Sequence, residues 1–361
     1  MTKVVVSSLA DAPLFLDAWT SLYASDETAS FFLSPYWIGA WLDVAAPRAP
    51  LYAVEGRRDG RALLLGAAGL APGKGMRTAR LHETGVDRLD TVYIEDNDFL
   101  VAPDAPEDAR DEALAALADA LGAEEIVLRN AAPPLYAAAE RFAAASGWRL
   151  RLLREQPVFA IDLEAARRAG DPLAATSSAL RAKVARARRL YDARGGLALR
   201  AAATAADREA FWRTLTRLHE AGWRRRGRTG AFANPDFIAF HRRLQARAGA
   251  ACELLLLEAG GAPVGCLYNF LHGGRALNYQ GGFHYEPDNR LAPGLLMHAL
   301  AAERYGEMGL SAYSLLAGEA DYKRRLATKT GRLYSLVLEK PAARVRVRNA
   351  IRSLLRPLRR S

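Results

Sequence analysis

Residues 276–300 read ALNYQGGFHYEPDNRLAPGLLMHAL and contain the clearest structural signal in the chain. The segment Ala276–Gln280 predicts a strand, and the turn-forming residues of Gly281–Asn289 predict a loop after it. Apolar residues at helical spacing then predict a helix over Leu295–Met308, and a second strand is expected over Ala312–Leu316. This order of strand, loop, helix and strand is typical of an α/β domain.

The start of that helix has a composition suited to an anionic ligand. Pro293 has no backbone N–H that would be left without a partner in the first turn, and Gly294 allows a ligand to approach the backbone closely. The free N–H groups and the helix dipole favour phosphate, to which Arg290 adds a charge-assisted contact. The same residues also fit an ordinary helix start that binds nothing.

A second group of polar residues follows the strand Ala312–Leu316. Glu319 has the chemistry of a general base and Tyr322 that of a general acid, whereas Lys323 or a neighbouring arginine is able to bind phosphate. The plain alternative is a second helix start, with acids in its first turn and bases after them, as the helix dipole favours.

The same order of elements occurs in both halves of the chain. Each half has a hairpin, a strand, a helix that ends at glycine, and a further strand; the hairpins are predicted over Leu51–Leu70 and Glu253–Leu271. A basic helical stretch, Ser177–Arg194, separates the halves. We therefore predict two domains, residues 1–168 and 169–340, followed by a basic tail over residues 341–361.

Composition indicates a soluble globular protein. Of 361 residues, 50% are hydrophobic and 25% charged, and the longest apolar run, Ala62–Ala71, is too short for a membrane helix. The start, Met1–Leu14, does not resemble a secretory signal. Cys252 and Cys266 lack the spacing of a disulfide scaffold or a cysteine-rich metal site. These features predict a cytoplasmic protein.

Most of the net charge of +10 lies at the C-terminus, because Lys340–Ser361 contains eight basic residues and no acid. Such a tail attracts anionic lipid or nucleic acid without specifying either, and it also fits a solvated chain end. If the tail forms an amphipathic segment on anionic lipid, deleting Pro341–Ser361 is expected to abolish liposome binding.

Several common function classes lack their motifs. The chain has no GxSxG of a serine hydrolase, and Gly69–Lys74 has the wrong spacing for a phosphate loop. Gly73-Lys74-Gly75 lacks the third glycine of a dinucleotide site. The six histidines form no HxxxH or HxH pair, so no metal is predicted.

Several stretches match one family in combination. They are ALRAKVARAR at residues 179–188, His219 with Trp223, RRRG at residues 224–227, YQGGF at residues 279–283, Pro293-Gly294, and DYKRR at residues 321–325. Together they resemble the GNAT-type acyltransferase domain of bacterial proteins associated with cellulose and exopolysaccharide synthesis. FFLSPYW at residues 31–37, with Trp41, is similar to the signature of their first half. The basic segment before a glycine pair is also similar to the Fem-type aminoacyltransferases, which have two tandem GNAT-like domains.

The resemblance implies a mixed α/β fold with a largely antiparallel central sheet, in two tandem GNAT-like domains of which the first is degenerate. It implies acyl-CoA as donor, with the pyrophosphate at Arg290, Pro293 and Gly294. Backbone N–H groups near Gln280, Gly281 and Gly282 are then expected to stabilise the oxyanion, an interaction worth about 3 kcal/mol per donor.

Proton handling follows from the same resemblance. Ser314 stands where relatives often have Asp, so Glu319 or a water chain is expected to act as base. Tyr322 is expected to act as acid, and Lys323 to contact phosphate.

These observations predict the transfer of an acetyl or other acyl group from acyl-CoA to an amine or hydroxyl. The acceptor is expected on a sugar, an amino acid or an envelope precursor, in the cytoplasm or at the inner membrane surface. One alternative is a Fem-type transferase that holds aminoacyl-tRNA through Arg181–Arg200 and Arg213–Arg228. The other is a non-catalytic partner of a membrane polysaccharide synthase, docked through the tail.

Overall fold

The computed structural model describes residues 3–71 and 76–341, which form two compact units. The first comprises Met1–Glu155 and Leu333–Ser361, and the second Gln156–Arg332. The domains 1–168 and 169–340 stay a prediction from the sequence. Residues 334–339 fall in the first unit because they pair with a strand of that unit. Residues 342–361 of the predicted tail and residues 72–75 of the rejected glycine motifs lie outside the described residues.

In its described residues, the first unit has one sheet and four α-helices. Its strands are β1 (Lys3–Ser8), β2 (Leu51–Arg58), β3 (Arg61–Leu70), β4 (Thr78–Leu81), β5 (Leu100–Val101), β6 (Glu125–Ala131) and the beginning of β7 (Arg149–Asp162). Its helices are α1 (Ala12–Tyr23), α2 (Pro35–Ala45), α3 (Ala109–Ala120) and α4 (Pro133–Ser146). Helices α3 and α4 pack on the sheet through buried side chains such as Leu114, Leu117 and Leu135.

The second unit repeats this plan. Its helices are α5 (Leu163–Ala169), α6 (Ser178–Asp192), α7 (Ala205–Arg224), α8 (Pro235–Ala248), α9 (Pro293–Glu307) and α10 (Asp321–Leu326). Its strands are the end of β7, β8 (Leu197–Ala201), β9 (Cys252–Ala259), β10 (Ala262–His272), β11 (Arg275–Phe283), β12 (Ala312–Ala317) and the beginning of β13 (Lys329–Glu339). The end of β13 belongs to the first unit.

Among the described strands, each unit has a mostly antiparallel sheet with one parallel pair of neighbours. The order is β1-β2-β3-β4-β6-β13 in the first unit and β7-β12-β11-β10-β9-β8 in the second. The parallel neighbours are β4 with β6, and β11 with β12. Each parallel pair is connected through a helix, α3 or α9, that packs on the sheet. The predicted mixed α/β fold, with its largely antiparallel sheet, is confirmed.

The predicted hairpins form for local reasons. Asp59 and Gly60 both have positive φ, as do Gly260 and Gly261, which is the geometry of a two-residue turn that matches strand twist. Within the described part of the chain, no helix is long and apolar enough to cross a membrane.

Candidate active site

Strands β11 and β12 separate part-way along their length. They pair only over Arg275–Leu277 and Ala312–Ser314, although β11 continues to Phe283. A register shift against β10 leaves Tyr279 as an extra residue, because Tyr268 pairs with Gln280 and Asn269 with Asn278. The edge of β11 beyond Leu277 is therefore not covered by β12.

Helix α9 begins with unused donors. Its N-cap residue, Ala292, has a φ of 38° and a side chain that cannot cap. The first backbone bond in the turn runs from the Leu296 N–H to the Ala292 carbonyl over 3.1 Å. The N–H groups of Gly294 and Leu295 consequently remain available, as at any helix start without a cap.

A pocket of about 460 Å³ joins these two features, and we call it the β11–α9 pocket. It is lined by Leu218, His219, Gly222, Trp223, Arg226, Asn278, Tyr279, Gln280, Gly281, Gly282, Phe283, Tyr285, Ala292, Gly294, Leu295, His298, Ala320, Tyr322 and Lys323. Among the described residues, no carboxylate lines it. The walls thus combine apolar, aromatic and cationic side chains with the amides of Asn278 and Gln280.

The structure brings six of the predicted site residues to this pocket, namely Gln280, Gly281, Gly282, Gly294, Tyr322 and Lys323. A β-carbon on Gly294 would lie 3.6 Å from the Phe283 ring, which is an ordinary van der Waals contact. The Lys323 ammonium donates to the Ala317 carbonyl over 2.7 Å, and it therefore lies at the base of α10.

Three predicted residues do not line the pocket. Arg290 is exposed and forms a bidentate ion pair with Asp288, with a shortest N–O distance of 2.7 Å. That arginine lowers the pKa of Asp288 to about 2. Glu319 is exposed, and Pro293 is buried in the first turn of α9. Arg290 is therefore already paired with a carboxylate, and Glu319 lies away from the pocket wall.

One pocket residue, His298, has no role in the sequence-based prediction. It is buried on α9, and its Nδ1 lies 2.9 Å from the Tyr313 hydroxyl. Burial, together with the charge of Lys323, lowers its pKa to about 3, so the imidazole is neutral at pH 7. Its only signal in the sequence is a histidine within the apolar face of a helix.

The opposite wall comes from α7. The Trp223 indole N–H donates to Nε2 of His219 over 2.9 Å, and burial lowers the pKa of His219 to about 4. The Arg226 guanidinium lies 5.7 Å from the Trp223 ring centroid, and Arg225 donates to the Tyr285 carbonyl. This cluster, singled out by its sequence, therefore contributes a positive charge to the pocket.

The corresponding opening in the first unit is bridged. Strands β4 and β6 pair over Thr78–Arg80, and beyond that point the Asn97 amide donates to the carbonyls of Leu81 and Arg129. The Asn97 backbone also bonds to Asn130 and Ala132. One asparagine thus ties together two strands whose counterparts in the second unit separate.

Comparison with known proteins identifies a family model that matches the part of the chain containing this pocket. Residues 178–324 match the model of the acetyltransferase (GNAT) domain. The second unit contains a GNAT acetyltransferase domain. The protein is accordingly an enzyme of the GNAT acyltransferase type. A search of curated proteins found no match.

Similar solved structures include tandem GNAT proteins. A tandem GNAT protein from the clavulanic acid biosynthesis pathway is 17% identical with a TM-score of 0.51, covering 94% of this chain and all of its own. FemX is 12% identical with a TM-score of 0.55, over 91% of this chain and 96% of its own.

The C-terminal domain of a protein described as a lysylphosphatidylglycerol synthetase, from Agrobacterium fabrum, is 12% identical. Its TM-score is 0.56, over 95% of this chain and 96% of that chain. At these identities the likeness extends to the fold alone. The predicted tandem arrangement of GNAT-like units is confirmed.

Among the described residues, no group of three or more His, Cys, Asp or Glu side chains is arranged to hold a metal ion.

Proposed function

We propose that the second unit transfers an acyl group from acyl-CoA to an amine or hydroxyl acceptor. The observation that supports this most is the β11–α9 pocket, where unused N–H groups at a helix start and an uncovered strand edge meet in one cavity. A phosphate-bearing thioester needs both features, one for its anionic end and one for its reacting carbonyl.

The diphosphate of the donor is assigned to the first turn of α9. None of the described residues accepts a hydrogen bond from the N–H of Gly294 or Leu295, and Pro293 has no N–H. Arg226 adds a positive charge on the facing wall. Arg290 contributes only if the diphosphate displaces Asp288 from it.

The thioester is assigned to β11 near Gln280, Gly281 and Gly282. These residues lie beyond the last β12 pair, so their backbone donors on that edge are available to a developing oxyanion. Each such donor is worth about 3 kcal/mol in the transition state. The bulge at Tyr279 sets which donors point into the pocket.

Tyr322 is assigned as the acid that protonates the leaving thiolate. Burial raises its pKa to about 12, so the phenol keeps its proton at neutral pH. Glu319 is exposed and outside the pocket lining, and it acts as base only through a chain of water. The sugar, amino acid or envelope-precursor class of acceptor follows from the resemblance to exopolysaccharide-associated proteins.

The experiment is calorimetric titration of acetyl-CoA into the wild type, Gly294→Ala and Gly294→Glu. Alanine fits the 3.6 Å gap to Phe283, whereas glutamate brings a carboxylate to the diphosphate position. We expect binding to the first two proteins and none to the third. A saturating ligand should also raise the unfolding midpoint by several degrees. Equal affinity in all three would place CoA elsewhere.

The Fem-type alternative predicts salt-sensitive tRNA binding and no response to CoA. Within Arg181–Arg200, three arginines are already paired with carboxylates, Arg188 with Glu303, Arg194 with Glu286 and Arg200 with Glu258. These pairs reduce the positive field available to RNA, which favours the acyl-CoA proposal. The synthase-partner alternative depends on the tail, whose residues 342–361 lie outside the described part of the chain.

A further inference from the structure

A line of buried polar side chains runs from the β11–α9 pocket into the second unit. The Asn278 amide nitrogen donates to Oδ1 of Asn269 over 2.8 Å, and the Asn269 amide nitrogen donates to the Tyr305 hydroxyl over 2.7 Å. Tyr305 donates to Glu253 over 2.6 Å, and Arg304 pairs with the other oxygen of that carboxylate over 3.0 Å. Asn269 and Tyr305 are fully buried.

The Glu253–Arg304 ion pair at one end of this line determines which group donates in each hydrogen bond. A carboxylate paired with arginine only accepts hydrogen bonds, so the Tyr305 hydroxyl must donate to Glu253. Burial raises the pKa of Tyr305 well above its ordinary value, which keeps that proton in place. The phenol oxygen then accepts from Asn269, so the Asn269 amide must turn its nitrogen to Tyr305 and its oxygen to Asn278.

This order determines what Asn278 presents to the pocket. Its nitrogen is used by Asn269 and by the Gln280 carbonyl at 3.3 Å. Its oxygen, Oδ1, takes no hydrogen bond from the described residues, although Asn278 lies in the pocket wall. Asn278 is also the first residue of β11 after the pairing with β12 ends at Leu277. The Asn278 side chain is therefore held in one orientation at the point where the strands separate, and its Oδ1 is not used by the described residues.

We propose that Oδ1 of Asn278 accepts a hydrogen bond from a substrate N–H or O–H in the pocket. The proposal rests on the proposed acyl-transfer function. Two sources offer this chemistry, an amide N–H of the donor's pantetheine arm and the nucleophilic N–H or O–H of the acceptor. Asn269, Tyr305 and Glu253 are positioning residues, because they hold the Asn278 amide in the accepting orientation without touching substrate.

The donor arm of the test compares CoA with 3′-phosphoadenosine 5′-diphosphate, which has the phosphates but no pantetheine. Both are titrated calorimetrically into the wild type, Asn278→Leu and Tyr305→Phe. If the pantetheine N–H is the source, Asn278→Leu should weaken CoA binding about three- to tenfold and leave the nucleotide unchanged. Tyr305→Phe removes only the hydroxyl that orients Asn269, so it should reproduce a smaller part of that loss.

The acceptor arm measures thiol release from acetyl-CoA with water as the only nucleophile. Unchanged CoA affinity with slower thiol release in both variants would identify the attacking group as the source. Thermal unfolding of each variant shows whether it is folded, and Tyr305→Phe remains informative if the leucine variant is not. Equal CoA affinity and equal thiol release in wild type and variants would overturn the role of Asn278. A wild type that binds no CoA would instead refute the proposed function.

Discussion

The imidazole of His298 stacks on the ring of Tyr322, with the ring centroids 5.0 Å apart and the planes 10° apart. His298 comes from α9 and Tyr322 from α10, so the stack joins the helix at the proposed diphosphate site to the proposed acid. Both side chains line the β11–α9 pocket. Because a neutral imidazole packs on the phenol, the Tyr322 ring is held in place without a charged neighbour on that face.

Tyr322→Phe should therefore lower the rate of acyl transfer without changing donor affinity. It removes the proton source and keeps the ring that stacks on His298, so we expect the turnover rate to fall about 100-fold, the lower end for general acids. Thiol release from acetyl-CoA measures the rate and calorimetry the affinity. The matched control is Tyr285→Phe, on the pocket rim. An unchanged rate in Tyr322→Phe would exclude this residue as the acid.

The free energy of unfolding should decrease as the pH falls from about 6.5 towards 4. Burial lowers the pKa of His82 and His219 to about 4, and of His241 and His298 to about 3. In that range the unfolded chain binds protons that the folded chain does not, so stability is lost on acidification. Each histidine contributes at most about 1.4 kcal/mol per pH unit.

Urea unfolding at pH 7, 6 and 5 measures this slope. His298→Phe should reduce the slope, whereas replacing the exposed His284 with Gln should leave it unchanged. The same slope in all three proteins would show that His298 is protonated in the folded state as readily as in the unfolded one.

Gly282→Ala should destabilise the second unit. A β-carbon there would lie 2.7 Å from the His219 backbone nitrogen and 2.8 Å from the Leu215 carbonyl oxygen, so β11 or α7 must shift. We expect a loss of about 1–3 kcal/mol, typical of overpacking. Gly222→Ala on α7 is the control, because its β-carbon would meet nothing within 4 Å. Chemical unfolding that ranks the two variants in reverse order would contradict this packing.

Because Arg290 is already paired with Asp288, we expect this arginine to add little to the affinity for acetyl-CoA. Arg290→Gln is then expected to weaken acetyl-CoA binding by less than about threefold, within the range of exposed ion pairs. Asp288→Asn frees the guanidinium and should tighten binding by a similar factor. Calorimetry on both variants tests this. A large loss of acetyl-CoA affinity in Arg290→Gln would instead support the sequence-based prediction that Arg290 contacts the diphosphate.

The parts of the fold that depend on neighbouring residues were predictable from the sequence. Asp59-Gly60 and Gly260-Gly261 specify their hairpins through positive φ, and the Pro293-Gly294 pair marks the start of α9. The strand 276–280 was correctly identified but continues to Phe283, because glycines that resemble a turn can also lie in a strand edge.

The other features of the fold and of the site depend on contacts between residues that are distant in the sequence. Tyr322 lines the pocket and Glu319 does not, because only one side of α10 faces the pocket. Periodicity alone does not predict which side of a six-residue helix this is. The importance of His298 arises only when α10 packs over α9. Strand β13 begins in one unit and ends in the other, which no local signal indicates. The pairing of Arg290 with Asp288, two residues away, was within reach of sequence analysis.

The Asn97 bridge has a consequence for binding stoichiometry. Although the two units repeat one plan, the asparagine amide occupies the space between β4 and β6 with hydrogen bonds to Leu81 and Arg129. Opening that space would leave the carbonyls of Leu81 and Arg129 without these donors, and an unsatisfied buried polar group costs about 1–3 kcal/mol. A titration with acetyl-CoA should therefore saturate at one equivalent per chain, and the protein should behave as a single-site enzyme with simple hyperbolic saturation.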